Sequence, residues 1–409
     1  MSISNLETSP APAEYQRLFQ NNPTLAEFKR FLVAHRVFAW CEQTILAKIA
    51  RPGAFNILSV IGPSGAGKTQ LMTEVGGVLL GIKDSNPDAD EGEVPRRAYL
   101  PVVCVTAHTG RSFESRFRNL LTQILGQVNG VLTDLGKASP DASAIYSRSY
   151  GPTSQTISSL SIAKLEELVR VGLKERRVRA LLIDEAQHLA QSASATDWRL
   201  VADGLKLLGS ISGTLVVMFG TSELLGLPHI SGQLGRRSKS IHMRRYLWSD
   251  TADQKEFKKI LAAFSKQWPV LLPPGVLTPR FQLIYAGCVG CVGTLYNWLY
   301  DAIATAEREG TPSVTWDILQ RSALSVPRLR KLHQEAQECE ESFAAEQTDL
   351  DKLASELCSG GNTQQPSFQQ PPVSQTEKNS AGSAQEKSRR PGDRNPTYDR
   401  YRPHQPAQP

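Results

Sequence analysis

Ala54-Phe-Asn-Ile-Leu-Ser-Val-Ile-Gly62-Pro-Ser-Gly-Ala-Gly67-Lys68-Thr69 decides how the rest of this chain is read. Its first nine residues are short, apolar and partly β-branched, the composition of a parallel strand buried on both faces. They run directly into Gly62-x-x-x-x-Gly67-Lys68-Thr69, and a helical pattern over Lys68–Leu80 opens on that loop. Strand, glycine loop and helix in that order form a phosphate cradle. Gly62, Gly65 and Gly67 let the backbone curl until successive N–H groups face an anion, and the helix aims its positive end at the same point. The candidate nucleotide-binding residues are therefore Gly62, Pro63, Ser64, Gly65, Ala66, Gly67, Lys68, Thr69 and Gln70. Lys68 is placed to meet the β- and γ-phosphates of ATP, and the Thr69 hydroxyl is the expected Mg²⁺ ligand.

Outward from this loop, further short apolar runs lie at Tyr99–Val105, Arg179–Asp184, Thr214–Phe219 and, more faintly, Ser238–Met243. Helical patterns over Ser112–Val128, Ser158–Arg176 and Trp198–Ile211 separate them. Strands alternating with helices predict a doubly wound α/β sheet. The run ending Leu181-Leu-Ile-Asp184-Glu185 carries two carboxylates to the C-terminal sheet edge, where open α/β sheets bind ligands. Asp184 is the second candidate for Mg²⁺, and Glu185 is placed to deprotonate an attacking water. Thr221, just past the next strand, reads as a hydroxyl sensing the γ-phosphate or its water, or as a turn cap. Arg236 and Arg237, ahead of the fifth strand, read as solvated charges or as a finger offered to a neighbour's γ-phosphate. A finger of that kind acts only in a ring or filament of identical subunits.

Composition sets limits on the rest. The chain of 409 residues has 40% hydrophobic and 21% charged residues and a formal net charge of +6. This balance is ordinary for a globular protein and permits nucleic-acid binding without demanding it. No apolar run approaches membrane-spanning length, and the first residues lack the pattern of a secretory leader. Six scattered cysteines suit a reducing compartment, so a cytoplasmic protein without a membrane partner is expected. Cys288 and Cys291 have the spacing of half a zinc site but no second pair nearby, and read as tight helix packing.

The expected organisation is a flexible N-terminus over 1–22, an α/β nucleotide domain with leading helices over 23–250, and a helical lid over 251–328. A charged helix, a possible short coiled segment, follows over 329–358, and a Gln-, Pro- and Ser-rich disordered tail over 359–409. Residues 130–155 interrupt the helical pattern and are expected to form an insertion loop.

A phosphate loop, a strand ending Asp-Glu, a sensor strand, paired arginines and a helical lid together resemble an AAA+ ATPase. Phe55–Thr69, Leu182-Ile-Asp-Glu-Ala-Gln-His188, Phe219-Gly-Thr-Ser-Glu-Leu and Gly290-Cys-Val-Gly293-Thr-Leu resemble the TniB/TnsC family of transposition regulators within it. The resemblance implies a five-stranded parallel sheet of order 5-1-4-3-2 with an all-helical lid. It also implies ATP hydrolysis with Mg²⁺, assembly of identical subunits as a ring or helical filament on duplex DNA, and partnership with a transposase subunit and a target-selection protein. Arg111, Arg116 and Arg118 after the second strand, with Arg148 in the insertion, are the candidate phosphate-backbone contacts. One departure is that Cys291-Val-Gly-Thr294-Leu has no arginine where many AAA+ lids carry a sensor, which implies slow hydrolysis and ATP acting as an assembly switch. The alternative is an AAA+ ATPase of another machine, secretion-associated or helicase-loader-like. Thr106-Ala-His-Thr-Gly110 lacks the aromatic pore loop that peptide-threading motors carry.

Overall fold

The computed structural model describes residues 23–53, 56–81, 99–110, 112–138, 160–189, 203–206, 208–209, 213–226, 238–347, 354 and 358. Two helices, α1 (Pro23–Arg30) and α2 (Arg36–Ala50), precede strand β1 (Ile57–Ile61) and helix α3 (Lys68–Gly81). Next come β2 (Val102–Thr106), α4 (Phe113–Ala138), α5 (Ile162–Glu175), β3 (Ala180–Asp184), β4 (Leu215–Gly220) and β5 (Ser238–His242). Five helices follow: α6 (Thr251–Gln267), α7 (Pro274–Leu277), α8 (Phe281–Cys288), α9 (Val292–Arg308) and α10 (Trp316–Ser322). Helix α11 (Val326–Gln347) closes the described series.

The five strands form one parallel sheet in the order β2-β3-β4-β1-β5, the expected order read from the opposite edge. Every residue of β1, β3 and β4 is buried, as strands covered on both faces must be. Strand β5 reads Ser-Lys-Ser-Ile-His and buries only Ile241, because it is the outer strand beside β1. That half-exposed edge explains its faint apolar signal.

Alternate strand residues feed two cores. Leu58, Val60, Leu182 and Val217 face one core, which continues without a break through α1, α2 and α3 into Phe257, Leu295 and Trp298 of the lid helices. Ile57, Ile61, Leu181 and Met218 face the other, filled by α4 and α5. Met1–Asp351 constitutes one compact unit. Of the second unit, Lys352–Pro409, only Ala354 and Cys358 are described, and both are exposed.

Two elements differ from their expected form. Helix α4 continues through Gly130 and Gly136 to Ala138, so the first part of the expected insertion is helical; residues 139–159 lie outside the described residues. Each glycine costs a helix only about 1 kcal/mol, which the length of α4 absorbs. Helix α11 is no free charged rod. Ala336, Cys339 and Phe343 are buried, the Phe343 ring stacks on His242 of β5 at 4.2 Å, and Glu340 pairs with Arg245. A three-residue apolar stripe in a highly charged segment is too narrow to announce this docking. The expected flexible N-terminus 1–22 and the tail 359–409 lie outside the described residues.

A buried carboxylate ties core and lid together. Asp253, in the first turn of α6, is fully buried and accepts from Arg36 of α2, Arg244 of the connector after β5 and the Leu247 N–H at 2.9 Å. Burial alone would raise its pKa, but hydrogen bonds from Arg244 and the Leu247 N–H outweigh burial and hold it below the ordinary value. Protons therefore bind the unfolded chain more readily. The stabilisation is present at neutral pH and is lost as pH falls through the folded-state pKa, below about 4. We predict that Asp253→Ala lowers unfolding stability by about 3 kcal/mol at pH 7 in urea titrations. The gap between variant and parent narrows as the titration is repeated below about pH 4.

Candidate functional site

The site begins with the turn after β1. Gly65 and Gly67 adopt φ of +80° and +101°, the left-handed region that a side chain resists. Gly62 answers a different need: a Cβ there would stand 2.4 Å from the Met243 carbonyl oxygen of the neighbouring connector. The loop closes with Ala66 N–H donating to Pro63 O at 3.2 Å, and helix α3 opens at Lys68. Lys68 is buried, and its Nζ donates to the carbonyls of Gly62 at 2.8 Å and Pro63 at 3.0 Å. Burial lowers the Lys68 pKa, while the carboxylates of Glu185 and Asp184 pull it upward.

Sheet order gathers the acidic and hydroxyl groups beside this loop. Because β4 lies between β1 and β3, Thr221 stands between the phosphate loop and Asp184-Glu185. The Thr69 hydroxyl donates to Asp184 Oδ2 at 2.7 Å, joining two residues 115 positions apart. Asp184 is buried, and its Oδ1 accepts the Glu185 N–H at 2.9 Å. Glu185 itself turns at φ of +51°, which directs the chain away from the strand into a 3₁₀ turn, Ala186–Leu189. Within that turn Gln187 is buried, and its Nε2 donates to Glu185 Oε2 at 2.5 Å.

A cavity of about 400 Å³ joins these groups. Residues 64–70, Glu185 and Thr221 form one wall; Phe31–Val33, His35 and Phe38 form a second. Val292, Gly293, Tyr296 and Asn297 of α9 form a third. The strap over 31–38 is held by Phe28, which stacks on Phe264 and packs tilted against Trp268 and Tyr296 in the aromatic cluster of the C-terminal helices. His35 caps α2, and its Nδ1 bonds the Tyr246 hydroxyl at 3.0 Å; burial lowers its pKa to about 4, so it packs there uncharged at neutral pH.

The start of α9 sits directly on the phosphate loop. Thr294 N–H donates to Gly65 O at 3.1 Å, and a Cβ on Gly65 would lie 2.0 Å from Thr294 Oγ1. Of the described residues that line the cavity, the cationic ones are Lys29 and Lys68, so α9 meets the loop through backbone rather than through an arginine. This contact joins residues more than 200 positions apart, and it leaves no trace in local sequence pattern beyond the glycines that permit it.

The residues present fit a magnesium nucleotide. Thr69 and Asp184 supply hard oxygen ligands already in contact, the cradle leaves no room for a side chain at Gly62 or Gly65, and Thr221 Oγ1 is a buried hydroxyl without a partner. No group of three metal-ligating side chains exists among the described residues.

The DNA candidates fare differently. Arg116 is buried, with Nη1 donating to Gly110 O at 3.0 Å, and Arg118 donates to Leu160 O while facing Glu114 at 3.9 Å. Arg116 therefore braces the loop after β2 rather than offering itself to a phosphate backbone, and Arg118 spends its guanidinium on the start of α5. Arg244 and Arg245 are likewise committed, to Asp253 and Glu340. Arg111, Arg148, Arg236 and Arg237 lie outside the described residues. Cys288 and Cys291 are buried at the junction of α8 and α9, where burial raises both thiol pKa values, that of Cys291 to about 12. Among the described residues no helix is long and apolar enough to cross a membrane.

Contact between α9 and the loop generates a prediction. A Cβ on Gly293 would stand 2.6 Å from Gly65 O and 3.2 Å from Gly67 N, backbone atoms that cannot rotate away. Gly293→Ala is expected to push α9 off the loop and weaken binding of a fluorescent ATP analogue at least about 10-fold. Unchanged affinity would separate the lid from the nucleotide site.

Residues 54–227 match the family model described as AAA domain. A comparison with curated proteins found no match. Among solved structures, the Aeropyrum pernix ORC2 protein in ADPNP-ADP complexes is 16% identical, with 70% of this chain and 65% of that chain covered and a TM-score of 0.40. The Aeropyrum pernix ORC1 protein in complex with DNA is 16% identical over 70% of this chain and 63% of that one, with a TM-score of 0.46. Domain III of the Thermotoga maritima replication initiation protein DnaA is 14% identical over 74% of this chain and 96% of that one, with a TM-score of 0.41. The chain thus spans just under two thirds of the length of the two Aeropyrum proteins. With the phosphate loop after β1 and the sheet order β2-β3-β4-β1-β5, residues 54–227 are an AAA-type P-loop ATPase domain.

Proposed function

We propose that this chain is an ATP-hydrolysing, DNA-associated AAA+ regulator of transposition, in which ATP governs assembly of identical subunits. The observation that carries the enzymatic part is the hydrogen bond from Thr69 to Asp184, with Glu185 and the unpaired Thr221 hydroxyl beside it. Lys68 leaves its two carbonyl partners to meet the β- and γ-phosphates. Thr69 and Asp184 would hold Mg²⁺, which when bound would neutralise phosphate charge. Glu185 accepts a proton from the attacking water, and the Thr221 hydroxyl steadies that water or the γ-phosphate. Val292 and Gly293 of α9 line the same pocket, and on this reading the lid meets a bound nucleotide through them.

The biological part rests on the motifs at Phe55–Thr69, Leu182–His188, Phe219–Leu224 and Gly290–Leu295, which resemble those of TniB/TnsC transposition regulators. On this reading duplex DNA is bound by an ATP-dependent ring or filament that links a target-selection protein to a transposase subunit. Arg236 and Arg237 act on the neighbouring subunit's γ-phosphate. Arg111 and Arg148 remain the candidates for the DNA backbone, since Arg116 and Arg118 are engaged internally. The absence of an arginine within Cys291–Leu295, at the start of α9, favours slow turnover and a switch rather than a motor.

Electron microscopy of the purified chain with a slowly hydrolysed ATP analogue, with and without duplex DNA, tests this. Nucleotide-dependent rings or filaments on DNA are expected; a monomer that binds no DNA at low salt overturns the DNA reading. Glu185→Gln should reduce kcat by about 100-fold or more while assembly persists, and Lys68→Ala should lose both. Equal loss of assembly in the two variants contradicts the switch. Arg236→Ala/Arg237→Ala subunits mixed with Lys68→Ala subunits should recover part of the ATPase rate, and no recovery at any ratio denies the shared site.

A further inference from the structure

We infer that Gln187 is a positioning residue for hydrolysis: its side-chain amide sets the direction of the Glu185 carboxylate. This inference rests on Glu185 being the general base.

Glu185 is held poorly by everything else around it. Its side chain is 42% exposed, its backbone is in the left-handed region, and His188 Nε2 reaches only to 3.9 Å of Oε2. Left to itself, such a carboxylate would sample several rotamers and spend little time aimed at a water beside the γ-phosphate. Gln187 restrains it, donating from Nε2 to Oε2 at 2.5 Å and leaving the Oε1 of Glu185 for the water.

The amide is built for this contact rather than for stability. Gln187 is only 7% exposed, and its own Oε1 is buried with no hydrogen-bond partner. A buried amide oxygen without a partner weakens a fold, so packing alone gives no reason for glutamine here. The last residue of β4 makes room for it: a Cβ on Gly220 would lie 2.5 Å from Gln187 Oε1. Gly220 is followed directly by Thr221, whose Oγ1 is also buried and unpartnered. Glu185 and Thr221 both line the cavity. Other titratable groups facing Glu185 are Lys68, Asp184 and His188.

A donor is needed, not merely a side chain of this shape. Gln187→Glu keeps the shape but sets a carboxylate against a carboxylate, and Gln187→Leu fills the same space without polar atoms. Both should lower kcat roughly 10- to 100-fold while the Kd for an ATP analogue stays within about 2-fold of the parent. Gln187→Leu should also melt at the same temperature as the parent or higher, because it removes an unpaired buried oxygen. Stability and rate then move apart, which a structural role does not produce. Adding Gln187→Leu to Glu185→Gln should cause no further loss, since the amide acts through Glu185.

A parent-like kcat in Gln187→Leu overturns the inference, as does a lost rate accompanied by a matching fall in melting temperature or nucleotide affinity. Glu185→Gln serves as the separating control. If that variant hydrolyses ATP normally, the general-base reading falls and takes this inference with it. If it is inactive while Gln187→Leu is not, the positioning role alone falls.

Discussion

Parallel pairing of β4 with β1 on one side and β3 on the other is the constraint on which the site depends. The strands follow the chain in the order β1, β3, β4, so insertion of the last between the first two brings together segments that sequence holds far apart. Backbone hydrogen bonds in the ladder set the register, Ile61 opposite Gly220 and Ile183 opposite Met218. That register brings Gly62, Asp184 and Thr221 to a common sheet edge. A slip of one residue would turn every side chain to the opposite face and separate Thr69 from Asp184.

A second layer of control comes from the lid. Its apolar core is continuous with that of the sheet, and its α9 places backbone against the phosphate loop at Gly65. The connector between β5 and α6 is clamped twice. Asp253 gathers Arg36 and Arg244, while Arg245 reaches Glu340 and the Val289 carbonyl. Nucleotide pocket, connector and α11 are thus mechanically joined.

Legibility in the sequence followed how local each signal was. The phosphate loop and the strand ending Asp184-Glu185 announce themselves through spacing within about ten residues, and each occurs where its pattern places it. Strand β5 is faint because one of its edges carries no partner strand, leaving four of its five residues partly exposed. The docking of α11 was hidden because its buried residues Ala336, Cys339 and Phe343 form a narrow stripe within a strongly charged segment. Arg116 misled for the opposite reason: an arginine near a basic cluster looks solvent-facing until packing turns it toward Gly110 O.

From the sequence alone came the chemistry available: a cradle for phosphate, a lysine, a hydroxyl, two adjacent carboxylates and a parallel sheet to carry them. These are properties of residue type and short spacing, and local backbone geometry suffices to express them. Only the tertiary structure decided which groups meet. The bond of Thr69 to Asp184, the seat of Thr294 on Gly65 and the room that Gly220 leaves for Gln187 join separate elements of the chain. Such contacts arise from strand order and close packing, which depend on the whole fold and are encoded in no single segment.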